Sequence, residues 1–91
     1  MTTHLVVLSG RVQGVGFRDW LGDEATQRGI DGWVRNRRDG TVEALLHGED
    51  AAVAALLLLC RDGPPHAYVR DVALSPADPP PGPGFRRLPT A

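Results

Sequence analysis

Residues 10–18 read Gly-Arg-Val-Gln-Gly-Val-Gly-Phe-Arg, a short connection between two different kinds of secondary structure. It follows an apolar run at Leu5–Leu8, which predicts a β-strand over residues 4–10. Apolar residues then recur at helical spacing from Phe17, and they predict a helix to about Arg28. The two inner glycines supply the backbone freedom that so tight a change from strand to helix requires.

The sequence beyond this connection predicts further strands and one more helix. Asp39-Gly40 is a hairpin turn signal between two of the strands. Val69 and Val72 are three residues apart, so we expect a bulge at Arg70-Asp71 that turns both valines inward. The remaining elements are strands over residues 30–37, 41–47, 66–74 and 85–88, a helix opened by residues 48–50 that ends near Arg61, and an extended Pro-rich loop over 75–84.

The order of the predicted elements is β-α-β-β-α-β plus a short closing strand. Each β-α-β crossover is expected to be right-handed. This order predicts an α+β protein, a ferredoxin-like α/β sandwich with an antiparallel sheet and both helices on one face. With 91 residues the chain has room for a single domain, 1–91.

Charge and composition exclude several classes of function. The formal net charge is -1 and all 10 basic residues are arginines. The absence of lysine excludes a Walker-A phosphate loop and Schiff-base chemistry. A protein without a basic surplus and with 5% aromatic residues is unlike a nucleic-acid binder, so we expect no nucleic-acid partner.

The lone cysteine and the short apolar runs indicate the cellular compartment of the protein. Cys60 has no partner for an intrachain disulfide, and its apolar neighbours indicate a buried thiol. No stretch approaches the length of a membrane-spanning helix, and the start of the chain lacks a signal-peptide pattern. We therefore expect a cytoplasmic protein without a membrane partner.

Four features near residue 16 favour a bound anion. Gly14 and Gly16 allow successive backbone N–H groups to converge, and the start of the predicted helix adds unpaired N–H groups and a positive dipole end. Arg18 in the first helical turn adds a guanidinium fork suited to phosphate oxygens. The alternative interpretation is a tight turn beside a surface arginine, and the residues alone leave both open.

Asn36 stands out because asparagine is disfavoured in strands. It ends the strand segment Trp33-Val34-Arg35-Asn36, at the end of the sheet where the glycine loop is expected. A neutral amide there can hold a water molecule beside a phosphate without repelling the dianion. Equally, a residue that flanks a turn can hydrogen-bond the local backbone.

The stretch 10–18, together with Gly29, Gly32–Asn36 and Asp39–Glu43, resembles the acylphosphatase family. The resemblance implies hydrolysis of acyl phosphates to a carboxylate and inorganic phosphate, with no metal and no cofactor. It implies that Arg18 binds phosphate, that Asn36 positions the attacking water, and that a backbone cradle is formed by Gln13, Gly14, Val15, Gly16 and Phe17.

Two departures from the family pattern and one alternative function remain. Leu21 stands where members often carry a small hydroxyl residue, and residues 75–84 are an unusual approach to the last strand. The alternative is a non-catalytic phosphate-binding or regulatory ferredoxin-like module. The expected ligands are an acyl phosphate and inorganic phosphate, and we expect a monomer. The three histidines show no metal-ligand spacing.

Overall fold

The computed structural model describes all 91 residues as five strands and two helices. The predicted order is confirmed, with most boundaries within two residues of expectation. The elements are β1 (Thr2–Arg11), α1 (Phe17–Gln27), β2 (Asp31–Asn36), β3 (Val42–Gly48), α2 (Asp50–Cys60), β4 (Tyr68–Pro76) and β5 (Phe85–Arg87).

The sheet has the strand order β4-β1-β3-β2-β5, and the three pairings among its first four strands are antiparallel. The antiparallel sheet expected from the sequence is confirmed for these four strands, and the sheet is mixed because the edge strand β5 pairs parallel with β2. The connection between β4 and β5 explains the parallel pairing. Pro76 ends β4 opposite His4, in the same row as Gly32 near the start of β2. The chain crosses that end of the sheet and then runs along β2 in the same direction.

The core lies between one face of the sheet and both helices. Fourteen buried residues form one cluster. Alternation along the strands turns Val6 and Leu8 of β1, Val34 of β2 and three residues of β3 toward α1 and α2. The fold is therefore the expected ferredoxin-like sandwich. Among the four leucines of α2, Leu56 is buried and Leu58 is 66% exposed, as their helical spacing requires.

The lone cysteine and the helix lengths agree with the sequence-based expectations for each. Cys60 is buried, and desolvation raises the pKa of its thiol to about 12. Because the thiolate is the reactive form, this side chain is inert at neutral pH. Neither helix is both long and apolar enough to span a bilayer.

The expected bulge occurs in β4 at Arg70. Ser9 of β1 pairs with Asp71 and Gly10 pairs with Val69, so Arg70 has no partner across the ladder. The extra residue lets two valines, 69 and 72, pack against the core. Gly10 has φ +116°, and a Cβ atom there would lie 2.3 Å from the carbonyl oxygen of Tyr68. Only glycine fits this close approach.

A second glycine makes room for an arginine on the surface of α1. Arg87 of β5 lies across Gly22, where an added Cβ atom would be 2.9 Å from its Nη2. The guanidinium pairs with Asp19 and Asp23, whose side chains are 81% and 72% exposed. Exposed pairs contribute at most about 1 kcal/mol each, and a glycine inside a helix costs about 1 kcal/mol. The arrangement therefore adds little net stability.

We predict that Gly10→Ala lowers the free energy of unfolding by about 2–4 kcal/mol, because the left-handed backbone and the clash with β4 both oppose a side chain. Urea denaturation measures the effect. Gly82→Ala is the matched control, since nothing lies within 4 Å of a Cβ atom at that position. Equal stability of the two variants would show that the bulge tolerates a side chain.

Candidate active site

The loop between β1 and α1 presents a run of unused backbone donors. Gly14 and Gly16 both have left-handed backbones, with φ of 72° and 77°. No backbone N–H from residue 13 through residue 19 donates a hydrogen bond within the protein. The carbonyl of Gly16 accepts the first helical bond from Trp20, at 3.0 Å. Nothing lies within 4 Å of a Cβ atom built at either glycine, so the space above the loop is open.

These donors meet the requirements for an anion site at a helix start. The N-terminal N–H groups of a helix have no partner within the helix, and the helix dipole favours negative charge there. Gly16 is the residue that precedes α1, and it has no side chain to cap the helix. An anion bound over residues 13–17 would satisfy donors that the protein leaves free.

Gln13 ties this loop to the turn between β2 and β3. Its Nε2 donates to the carbonyl oxygens of Arg37, at 2.7 Å, and of Thr41, at 2.9 Å. Both amide hydrogens are used, and both acceptors belong to the hairpin turn that follows Asn36. The side chain of Gln13 is thus structural, while its backbone N–H stays free for the predicted cradle. Sequence reasoning missed this tether, because a glutamine between Val12 and Gly14 carries no signal for a distant acceptor.

Asn36 lies at the same end of the sheet as the loop. The strand registers place Leu8, Val42 and Asn36 in one row across β1, β3 and β2. Two strand spacings separate Leu8 from Asn36, about 10 Å. Because Val34 faces the helices, alternation places Asn36 on the same face of β2.

The carboxamide of Asn36 makes no hydrogen bond within the protein, and the residue is half-buried. The local backbone bond that the sequence left open is therefore not formed by this side chain. The main-chain carbonyl of Asn36 accepts the N–H of Ala91, at 3.0 Å. The carboxamide is free to bind water.

Arg18 differs from the other arginines of the chain. Its guanidinium makes no ion pair and no hydrogen bond within the protein, and the residue is half-buried in the first turn of α1. The remaining unpaired arginines are exposed, at positions 11, 38, 61, 70 and 86. Arg18 is thus the one partly buried arginine whose charge is uncompensated.

The charges next to Asn36 are largely compensated. The guanidinium of Arg35 lies 2.7 Å from Oε1 of Glu43 and stacks over Trp33, on the face of the sheet opposite the helices. Hydrogen bonds from the side chain and backbone of Thr41 lower the pKa of Asp39, and Arg37 adds a smaller effect. These contacts fix the shape of the turn whose carbonyls Gln13 holds.

Histidine, cysteine and carboxylate side chains do not come together in groups of three or more that could hold a metal ion. His47 instead hydrogen-bonds Thr3 through Nδ1, at 2.7 Å, on a pair of facing strand positions. The arrangement around Arg18 and Asn36 therefore consists of backbone N–H groups, one guanidinium and one carboxamide.

Comparison with known proteins agrees with this fold, which is that of a ferredoxin-like α/β sandwich. The acylphosphatase family model matches residues 4–87. An acylphosphatase of Rhodospirillum rubrum is 53% identical over 90 residues, covering 99% of both chains, and one of Azorhizobium caulinodans is 57% identical over 86 residues, covering 93% of this chain and 91% of its own. The crystal structure of acylphosphatase from Bacillus subtilis is 35% identical with a TM-score of 0.90, covering 97% of this chain and 99% of its own.

The chain belongs to the acylphosphatase family. Its activity is that of an acylphosphatase, an enzyme that hydrolyses the carboxyl-phosphate bond of acyl phosphates. This activity distinguishes it from the non-catalytic binding module that the sequence also allowed.

We predict that Gln13→Ala lowers the free energy of unfolding by about 1–2 kcal/mol, because it removes two partly buried hydrogen bonds. The loss stays moderate because the carbonyls of Arg37 and Thr41 still accept the backbone N–H groups of Gly40 and Arg37. The substitution should also lower kcat/KM, since the loop loses its tether to the hairpin. Urea denaturation and steady-state kinetics measure the two effects. Gln27→Ala is the control, because Gln27 is exposed and its side chain makes no hydrogen bond. Equal free energies of unfolding and equal kcat/KM for the two variants would contradict a structural role for Gln13.

Proposed function

We propose that Arg18 and the backbone N–H groups of residues 13–17 bind the phosphoryl group of the substrate, while Asn36 orients the attacking water. The observation that carries the proposal is the set of free groups at one end of the sheet. A run of unused N–H donors, one uncompensated guanidinium and one unbonded carboxamide lie around a loop that Gln13 ties to the end of β2.

The proposed reaction needs little more than positioning and charge stabilisation. Water attacks phosphorus in line, the bond from phosphorus to the carboxyl oxygen breaks, and its electron pair leaves with the carboxylate. The carboxylate is weakly basic, so it leaves without a general acid. A phosphoryl oxygen of the substrate accepts the proton of the attacking water. Arg18 and the cradle stabilise the charge on the equatorial oxygens.

The neutral side chain at position 36 suits this chemistry. A carboxamide offers an acceptor oxygen and two donor hydrogens, so it can hold water in one orientation. A carboxylate at the same place would repel the phosphoryl dianion. The nearest acidic side chains along the hairpin, Asp39 and Glu43, are held instead by Thr41 and by arginines.

The ligand set follows from the same groups. Inorganic phosphate, the second product, carries the same oxygens as the phosphoryl group, so it should compete with substrate at the cradle. None of these contacts requires a metal ion, and we expect full activity in chelator. The monomeric state and the cytoplasmic location stay predictions.

We predict that Arg18→Ala lowers kcat/KM for acetyl phosphate or benzoyl phosphate by about 10²–10³-fold, with higher KM and lower kcat. The loss follows from removing the one charged group that contacts the phosphoryl oxygens. Hydrolysis is measured in chelator at fixed ionic strength. Arg28→Ala is the control on the far end of the same helix, where Arg28 pairs with Glu24. Near-normal activity of Arg18→Ala would reject the proposed site.

We predict that Asn36→Ala lowers kcat by about 10²-fold and leaves the inhibition constant of inorganic phosphate within about threefold. The isosteric Asn36→Asp should lower kcat and also weaken phosphate inhibition, because its carboxylate repels the dianion. The difference between the two variants separates water orientation from phosphate binding. Wild-type turnover by Asn36→Ala would exclude a role for this side chain in orienting water.

A further inference from the structure

Arg87 of β5 contacts the first turn of α1, which lies against that edge of the sheet. Its Nε lies 2.8 Å from Oδ1 of Asp19, and its Nη2 lies 3.3 Å from Oδ1 of Asp23. The same Nη2 donates weakly to the backbone carbonyl of Asp19, at 3.4 Å. The two carboxylates are one helical turn apart, and Gly22 between them gives the guanidinium room to lie against the helix.

The other end of this connection is anchored beside Asn36. Arg87 pairs with Val34, two residues before Asn36 in β2. The N–H of Leu88 donates to the carbonyl of Val34, at 2.8 Å, and the N–H of Ala91 donates to that of Asn36, at 3.0 Å. The backbone of residue 87 therefore cannot move far relative to the strand that carries Asn36.

We propose that Arg87 is a positioning residue for the acylphosphatase reaction, holding the turn that carries Arg18 at a fixed distance from β2 and Asn36. This inference rests on the roles proposed above for Arg18 and Asn36. Arg87 also neutralises Asp19, the residue directly after Arg18. Without it, an uncompensated carboxylate would lie next to the phosphate-binding arginine, where it can pair with the guanidinium or repel the substrate.

The balance of energies favours a positional role over a stabilising one. Both carboxylates are mostly exposed, and exposed ion pairs add little to stability. Gly22 is unfavourable inside a helix, so the arrangement carries a local cost of its own. The Arg87 guanidinium is fixed on β5, and it holds two carboxylates and one backbone carbonyl of α1.

The experiment compares two variants with the same change in charge. Arg86 is the neighbour of Arg87 in β5; it is exposed and makes no ion pair, and alternation turns its side chain to the opposite face. We expect Arg87→Gln to lower kcat/KM by about tenfold and to raise the inhibition constant of inorganic phosphate severalfold, since small displacements of a catalytic group are costly. Arg86→Gln should change both by less than about twofold.

Two further measurements separate the possible outcomes. The thermal unfolding midpoint of Arg87→Gln should stay close to that of Arg86→Gln. Arg87→Lys keeps the positive charge but loses the guanidinium fork, so it should recover part of the phosphate affinity. Equal kinetics for Arg87→Gln and Arg86→Gln would overturn the inference, as would a kinetic loss matched by unfolding at the assay temperature. If Arg18→Ala is inactive while Arg87→Gln is normal, the proposed function stands and this inference fails; an active Arg18→Ala removes the basis of both.

Discussion

The arrangement of the candidate active site depends on the hydrogen bonds of the Gln13 side-chain amide. This amide joins the loop after β1 to the turn after β2 through two hydrogen bonds to main-chain carbonyls. Val15 and Phe17 pack this loop against the core, and Gln13 supplies its polar contacts, because the loop's own N–H groups donate to nothing in the protein. A glutamine amide has two hydrogens, and both are committed to the hairpin. The backbone N–H groups remain free because the side chain holds the loop.

The packing of the sheet determines which face Asn36 occupies. Val34 and Val42 are fully buried against the helices. Asn36 lies on the same face of β2 as Val34, and it pairs with Val42 of β3. A slip of one residue in β2 would expose Val34 and turn Asn36 to the opposite face. The free energy of burying these valines thus also fixes the orientation of a residue that adds nothing to the core.

Local patterns in the sequence predicted the elements of this fold well, and long-range contacts explain what they missed. The three-residue spacing of Val69 and Val72 predicted the bulge, because period-two alternation fails there. The glycines of the loop indicated the backbone freedom that its left-handed conformation uses. The parallel pairing of β5 was missed because it depends on where the chain leaves β4. The contacts of Gln13 and Arg87 join residues 24 to 68 positions apart, and no local periodicity records such pairs. The roles proposed for Arg18 and Asn36 rest on a resemblance, and the structure adds that both side chains are without partners.

The distribution of arginine partners leaves the guanidinium of Arg18 free in a chain with net charge -1. Arg35 and Arg37 share Glu43, while Arg87 takes up Asp19 and Asp23. Asp19 is the carboxylate closest in sequence to Arg18. Its pairing with an arginine from another element removes a competitor for the guanidinium that phosphate would bind. In a site without lysine, pairing the neighbouring carboxylates with other arginines keeps the Arg18 guanidinium available, because a guanidinium already bound within the protein has no free fork to offer a phosphoryl group.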